Sequence, residues 1–508
     1  MRPLLSRSLP LIAWFLGFSV LFGMWSLATP LWSTPDAQHH ELAAWAFGHG
    51  DLNPEQTEQE TNGVNTNAIV MVPKGIVDSA ETTGCFAHHP DRPASCVKPI
   101  LPDSSRTAFV SSAARNFPVY YAVVGAATNF GSNAQGIFLM RVVAIALVAW
   151  LLAWAATACL HTRRPGLALS GLFISITPMF AYLGGVMNPN SFEIAAAYAT
   201  AVCTLVYFAD PTSPTGEKML RRAAIAATIL GSTRILGPVW LAIWVVALLI
   251  LQRKDLFTLP LKARNRWWLL APVAGVVANM AWMKRSGVDN IRTEPLHDLG
   301  FLDRLHATYD HIMNTLPQIV GNFGWLDTPL PMHLIIVYVI MTGFLLGVGW
   351  LALSRREFWA TTAAVAMALA APILLETWKY NLQGAVWQGR YMLPTIGLVP
   401  ILVLTSAALS KREDPLWERT AVRWTFAGGL TVLAWVHFAA LQLQLKRNMH
   451  GLKLPRIKDR HWPTWHPPVE PWLISSVLAL TMLVGIIVVA RLIRPAPPLT
   501  PAEVDAQP

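Results

Sequence analysis

Charge is scarce in this chain. Asp, Glu, Lys and Arg make up 13% of its 508 residues, and hydrophobic residues make up 54%. Apolar runs of roughly twenty residues alternate with short charged loops. That pattern excludes an ordinary water-soluble domain and describes a polytopic α-helical membrane protein, because each run spans ~30 Å of hydrocarbon. Nucleic-acid motifs are also missing. The net charge of +10 therefore implies no nucleic-acid partner. In a membrane protein, basic residues mark cytoplasmic loops and lipid headgroups. Cysteine is scarce too, with only four residues. Cys159 and Cys203 fall inside apolar runs and read as packing residues.

What is present is a series of about twelve spanning segments, two of them short. The first, Leu9 to Leu31, is too long for a signal-peptide core and reads as an uncleaved span preceded by Arg2 and Arg7. A large outer loop, 33–117, follows, with mixed helix and short strands, including an acidic patch from Asp51 to Glu60 and a β-like run from Ala68 to Val72. Phe117 to Tyr121 returns the chain to the membrane as an interfacial aromatic segment. Ala223 to Leu230 and Ile235 to Leu251 read as two short helices hinged at Arg234; a single tilted span would invert every later loop. Three loops on the outer side hold 33–117, 284–331 and 376–390. A fourth, with Lys446, Arg447, Lys453, Arg456, Lys458 and Arg460, is unusually basic for that side and suits anionic lipid or an anionic substrate. The expected division is a membrane domain over 1–410, C-terminal membrane helices over 411–491, and a disordered cytoplasmic tail over 492–508, with both termini cytoplasmic.

The stretch richest in chemistry is Ser33 to Glu41. Pro35 suits the first position of a helix with Thr34 as its cap, and Gly48 or Gly50 ends it. Asp36, His39 and His40 are spaced i, i+3 and i+4 and share one face. A carboxylate there can act as a general base beside a bound hydroxyl. It can equally be an acidic residue in a first turn, favoured by the helix dipole. Cys85, His88, His89 and Cys96 have metal-ligand spacing, but an oxidising compartment favours a disulfide between Cys85 and Cys96.

Thr34-Pro-Asp36-x-x-His39 ahead of a Gly-terminated helix is similar to the opening motif of a bacterial membrane family, the domain-of-unknown-function 2142 family. That family is grouped by resemblance with the GT-C glycosyltransferases. Phe117-Pro-Val-Tyr-Tyr121, Thr177-Pro178 leading to Asn188-Pro189, Gly324-Trp-Leu-Asp327 and Gln388-Gly-Arg390-Tyr-x-x-Pro394 match in order as well, as does the Cys85 and Cys96 pair. The resemblance implies an inverting GT-C-type enzyme in the bacterial plasma membrane. It would move a sugar from a polyprenyl-phosphate carrier to a glycan or lipid acceptor of the cell envelope, on the extracytoplasmic face. Asp36 would be the base. Arg390 and Arg234 would hold the departing phosphate. His39, His40, Gln388 and Asp327 would contact substrate.

Each of these has a plainer reading. Arg390 can snorkel to headgroups, although Gly389 beside it leaves backbone room for a ligand. Arg234 can simply punctuate a hairpin. Asn190 with Glu193 reads as a helix cap, and Asp327 as the terminator of Trp325-Leu326. One of the two histidines is expected to hydrogen-bond backbone. Two departures from the family pattern matter: Ala37 replaces a second acid, and Asn190 replaces an Asp. Both weaken a divalent-metal site, so metal-independent chemistry without a cofactor is expected. The competing functions are a flippase or transporter of lipid-linked saccharide, and a non-catalytic scaffold for envelope assembly. The transporter reading is weakened because the opening motif has no second copy and Arg141 is the only charge well inside a long span.

Overall fold

A computed structural model describes residues 2–57, 67–264, 266–288, 297–410, 420–452 and 463–493. Lys453, Arg456, Lys458 and Arg460, the latter part of the acidic patch from Asp51 to Glu60, and the tail after residue 493 lie outside the described residues. Among those described, eight helices are long and apolar enough to cross a membrane. A further apolar pair, Pro165–Ser175 and Pro178–Gly184, is bent by 76° at Ile176-Thr177, as in a broken span or a re-entrant loop. Pro178 causes the break: it has no N–H to give, and it forces Thr177 out of helical conformation. Three further helices of 20, 16 and 17 residues are not long and apolar enough by the same measure. Gly237–Gln252 is apolar but short, and Pro214–Thr233 and Leu270–Ser286 carry basic residues at one end. The expected short helix at 223–230 is thus corrected. It is the second half of a 20-residue helix that starts at Pro214, because the Ser213 side chain caps it there by accepting from the Gly216 N–H.

Cross-contacts assign the helix ends to two faces. On one face, Arg141 meets Glu41, Trp282 Nε1 donates to the Arg115 carbonyl, and Arg447 donates to the Arg92 carbonyl. On the other, the Arg164 N–H donates to the Ala408 carbonyl, and Gly166 abuts Ile493. The large loop therefore sits on the first face, together with Arg234 and the turn before Arg390. The two helices past residue 410, Thr420–His450 and Pro471–Leu492, share one continuous apolar core with the preceding spans.

The large loop has a core of its own. A three-stranded antiparallel sheet pairs Glu55–Thr57 with Asn67–Pro73, and the latter with Arg106–Ser111 so that Ile69 faces Val110. The opening helix, Ala37–Gly48, packs between this sheet and helix Pro118–Gly125. Here the two helix backbones touch. A Cβ on Gly48 would collide with the Gly125 carbonyl group, and one on Gly125 with the Ala44 carbonyl. Only glycine permits that approach, and it brings Tyr121 against His40.

Cys85 and Cys96 form a disulfide with Cα atoms 6.2 Å apart. The loop it closes is clasped by Arg447, whose guanidinium donates to the carbonyls of Arg92 and Phe86 at 2.9 and 2.8 Å. Arg447 is therefore not part of a basic loop facing lipid. It ends helix Thr420–His450 and is fully buried.

Candidate active site

The backbone from Ala28 to Asp36 is held from several directions. Arg141 donates to the Thr29 and Pro30 carbonyls at 2.8 and 2.9 Å, Asn448 to Ala28 at 2.9 Å, Trp325 to Trp32 at 3.1 Å and Tyr182 to Ser33 at 2.6 Å. Such anchoring sustains two non-glycine residues in left-handed conformation, Trp32 at φ 63° and Asp36 at φ 59°. Each costs about 1–2 kcal/mol, and strain of this kind collects at functional sites.

Asp36, not Thr34, occupies the cap position of the opening helix, yet its side chain makes no capping bond. The left-handed twist turns the carboxylate away from the helix N–H groups. It meets Arg390 instead: Nη2 donates to Oδ2 at 3.2 Å. The Asp36 side chain is 49% accessible while Arg390's is 2%. Solvent thus reaches the carboxylate but not the guanidinium behind it, so the pair lines a shallow recess.

Arg390 sits on a tight turn, Gly389–Met392, that opens the span Gly389–Leu409. Its Nη2 also reaches the Tyr391 hydroxyl at 3.5 Å, a marginal bond. Nε and Nη1 are buried with no protein partner among the described residues. Two guanidiniums approach the Tyr391 ring, Arg390 at 5.3 Å and Arg234 at 5.1 Å from its centroid. Arg234 is the cap residue after helix Pro214–Thr233. Its carbonyl is fixed by the buried Asn279 amide at 2.9 Å. The fold thus brings together Asp36, Arg390 and Arg234, which the sequence separates widely.

Burial pushes the Asp36 carboxyl up, but the Arg390 charge, the two neighbouring histidines and Arg234 outweigh it and leave the carboxyl below its ordinary value. Burial holds His40 down at about 3 and also lowers His39, so both rings are uncharged at neutral pH. Arg390 is the largest of the opposing charges, and Asp36 is ionised at neutral pH. His40 Nδ1 pairs with the Tyr121 hydroxyl at 2.9 Å, and His39 hydrogen-bonds the Val110 backbone while its Nδ1 is left without a partner.

Several expected contacts are placed elsewhere. Asp327 is taken up entirely by protein: Oδ2 accepts from Arg447 at 2.9 Å and Oδ1 from Thr328 at 2.9 Å. Its role is to tie the Asn322–Phe323 and Thr328–Pro329 hairpin to the disulfide loop. Gly389 leaves no space for a ligand, because a Cβ there would strike the Thr315 carbonyl. Among the described residues no hydrogen bond joins Gln388 to Asp36, and Gln388 Oε1 is buried without a partner. Asn190 does not cap its helix. Asn188 does, accepting from the Asn190 N–H at 3.0 Å.

The sequence assigns no site role to several other residues that the fold brings close. Glu193 is buried, its Oε1 is unpartnered, and it lies within the field of Arg234, as Asp36 does. Glu376 accepts from the N–H groups of Val386 and Trp387 at 3.1 and 2.6 Å, and His311 Nε2 bonds the Trp387 carbonyl at 2.9 Å. With Gln318, which accepts from the Gly389 N–H at 2.9 Å, they fix the approach to Arg390. A helix two spans away supplies such a contact, and no spacing rule reveals it.

A family model described as predicted membrane protein DUF2142 matches residues 18–399. Comparison with solved structures finds the crystal structure of ArnT from Cupriavidus metallidurans bound to undecaprenyl phosphate, at 12% identity and a TM-score of 0.44, covering 96% of this chain and 77% of that one. ArnT from the same organism in the apo state matches at 13% identity and 0.36, covering 89% and 74%. No curated protein sequence matches.

Proposed function

The chain belongs to the DUF2142 family of predicted membrane proteins, and from that premise we propose that it transfers a sugar from a polyprenyl-phosphate carrier to an acceptor hydroxyl of the cell envelope. The observation that carries the proposal is the recess where an accessible carboxylate, Asp36, meets a buried guanidinium, Arg390, that still has two unpartnered donors. A buried Arg with free N–H groups is costly unless an anion completes it. A lipid phosphate at the membrane surface supplies that anion.

The reaction balances with the chain's own groups. Asp36 takes the proton of the acceptor hydroxyl as that oxygen bonds to the anomeric carbon. The bond from the anomeric carbon to the phosphate oxygen breaks, and polyprenyl phosphate leaves with the electron pair. Its charge grows from one toward two as the diester becomes a monoester, and Arg390 and Arg234 stabilise the increase. A carboxylate pulled down by Arg390 is a weak base. The donor phosphate competes for Arg390, so its arrival returns basicity to Asp36. His39 Nδ1 is the open ring nitrogen for a sugar hydroxyl. His40, occupied by Tyr121, orients the helix face. Glu193 and Asn190 replace none of these roles in the proposal.

The reading takes the recess to face the extracytoplasmic side, and the disulfide loop on the same face supports it, since a disulfide needs an oxidising compartment. The opposite face carries Arg163, Arg164, Lys218, Arg221, Arg253 and Arg355, as cytoplasmic ends do. The test is transfer of radiolabelled sugar from a polyprenyl-phosphate donor by the purified protein in nanodiscs, against Asp36→Asn. Transfer by the wild type that the variant loses supports the reading. Equal transfer by a folded variant removes Asp36 as base, and tight donor binding without transfer by either turns the protein into a carrier or scaffold.

A further inference from the structure

On the face opposite the recess, a cavity of about 510 Å³ opens between the end of helix Gly237–Gln252 and the start of helix Arg355–Gln383. It is lined by Leu249, Ile250, Arg253, Arg355, Arg356 and Trp359. Three guanidiniums share it. None forms an ion pair among the described residues. The acids closest in sequence form no ion pair with them: Glu357 accepts from the Ser354 N–H at 2.6 Å, and Asp255 lies in the first turn of the next helix.

The placement of the charges is itself unfavourable for a protein alone. Arg355 and Arg356 occupy the first turn of a 29-residue helix, where the dipole repels cations and attracts anions. They stand beside each other and beside Arg253. Arg253 is held at φ 52° and ψ −127°, a conformation that L side chains avoid. The rest of the lining is apolar, and Leu249 and Trp359 are exposed. Next to the cavity runs a short helix, Asp255–Lys262, with Phe257 and Leu261 exposed, followed by exposed Trp267 and Trp268. Basic residues interleaved with exposed aromatic and aliphatic ones describe a segment lying at a membrane interface.

We propose that this cavity binds the phosphate headgroup of an anionic phospholipid, with its acyl chains along Leu249, Ile250 and Trp359. The guanidiniums take the phosphate oxygens in bidentate fashion. The lipid anion also offsets the repulsion among them and at the helix end. The site does not depend on the reading of the recess, and neither Arg253 nor Arg355 belongs to it.

The test uses the full chain, purified in detergent and stripped of lipid, with cardiolipin, phosphatidylcholine and inorganic phosphate as probes. Native mass spectrometry reads bound lipid, and thermal melting reads the shift in Tm. Cardiolipin should bind and raise Tm, and phosphatidylcholine and inorganic phosphate should do neither. Arg253→Gly relieves the strained backbone, so it should melt no lower than the wild type without lipid. It should nevertheless bind cardiolipin about fivefold more weakly, which is the loss of one basic contact near an anionic headgroup. Arg355→Gln with Arg356→Gln should weaken binding by a further order of magnitude or so. Equal cardiolipin binding by the wild type and all these variants overturns the proposal. So does an equal shift with phosphatidylcholine, or with inorganic phosphate, which would make the cavity a plain anion site.

Discussion

Asp36 is held at its 3.2 Å contact with Arg390 by a left-handed backbone rather than by a helix cap. The same conformation that costs stability frees the carboxylate from the N–H groups that would otherwise occupy it. Glycine tolerates φ near +59° better than aspartate does. Asp36→Gly relieves the backbone but strips the buried Arg390 of its carboxylate, so it is expected to melt below the wild type while losing sugar transfer by about 10²-fold or more. A Tm at or above that of the wild type would show that the backbone, not the ion pair, decides stability at this position.

Arg390→Lys keeps the charge and loses the fork. A lysine cannot hold Asp36, reach Tyr391 and still present two donors. Donor binding should weaken and turnover at saturating donor should fall about tenfold or more. The pH profile gives a separate reading. In the wild type the Asp36 pKa lies below its ordinary value, so the ionised form is lost only as pH falls through that lower value. No acid limb from Asp36 is expected above about pH 5. In Arg390→Gln the largest opposing charge is gone, burial lifts the carboxyl, and an acid limb should enter the assay range. Identical profiles would exclude the coupling.

Glu41 offers a pH effect of opposite sign. Burial raises its carboxyl to about 7, against the attraction of Arg141. The folded chain then binds this proton more tightly than the unfolded one. Its contribution to stability is present at low pH and declines as pH rises toward 7. Wild-type Tm should fall across that window relative to Glu41→Gln, whose melting should be flatter. Parallel curves would place the proton elsewhere.

Asp327→Asn separates packing from chemistry. The variant breaks a pair in which Arg447 is fully buried, at a cost of about 3–5 kcal/mol. A Tm lowered by several degrees with an unchanged donor KM is the expected result. A changed KM at unchanged Tm would return Asp327 to the substrate site.

Gly389→Ala should lower Tm as well, by overpacking worth about 1–3 kcal/mol, since the new Cβ meets the Thr315 backbone carbonyl and the Gln318 Cβ. Wild-type melting would mean that the turn and the Thr315 segment shift freely.

The membrane class and the α-helical architecture are legible in the sequence because lipid imposes length and hydropathy on each span separately. The hinge at Arg234 is legible for the same reason, as basic flanks on both sides demand an even number of crossings. Local spacing also puts Asp36, His39 and His40 on one helix face. Spacing could not decide what those side chains meet. Thr34 looked like the cap, but anchors from Arg141, Asn448, Trp325 and Tyr182 twist the chain so that Asp36 takes the position with its carboxylate free. Gly389 looked like room for a ligand, and a helix approaching from residues 301–315 fills it. Asp327 and Arg447 looked like loop charges, and the fold closes them on each other. These outcomes depend on contacts between residues 71 or more apart in the chain, set by how helices pack rather than by what any one of them contains.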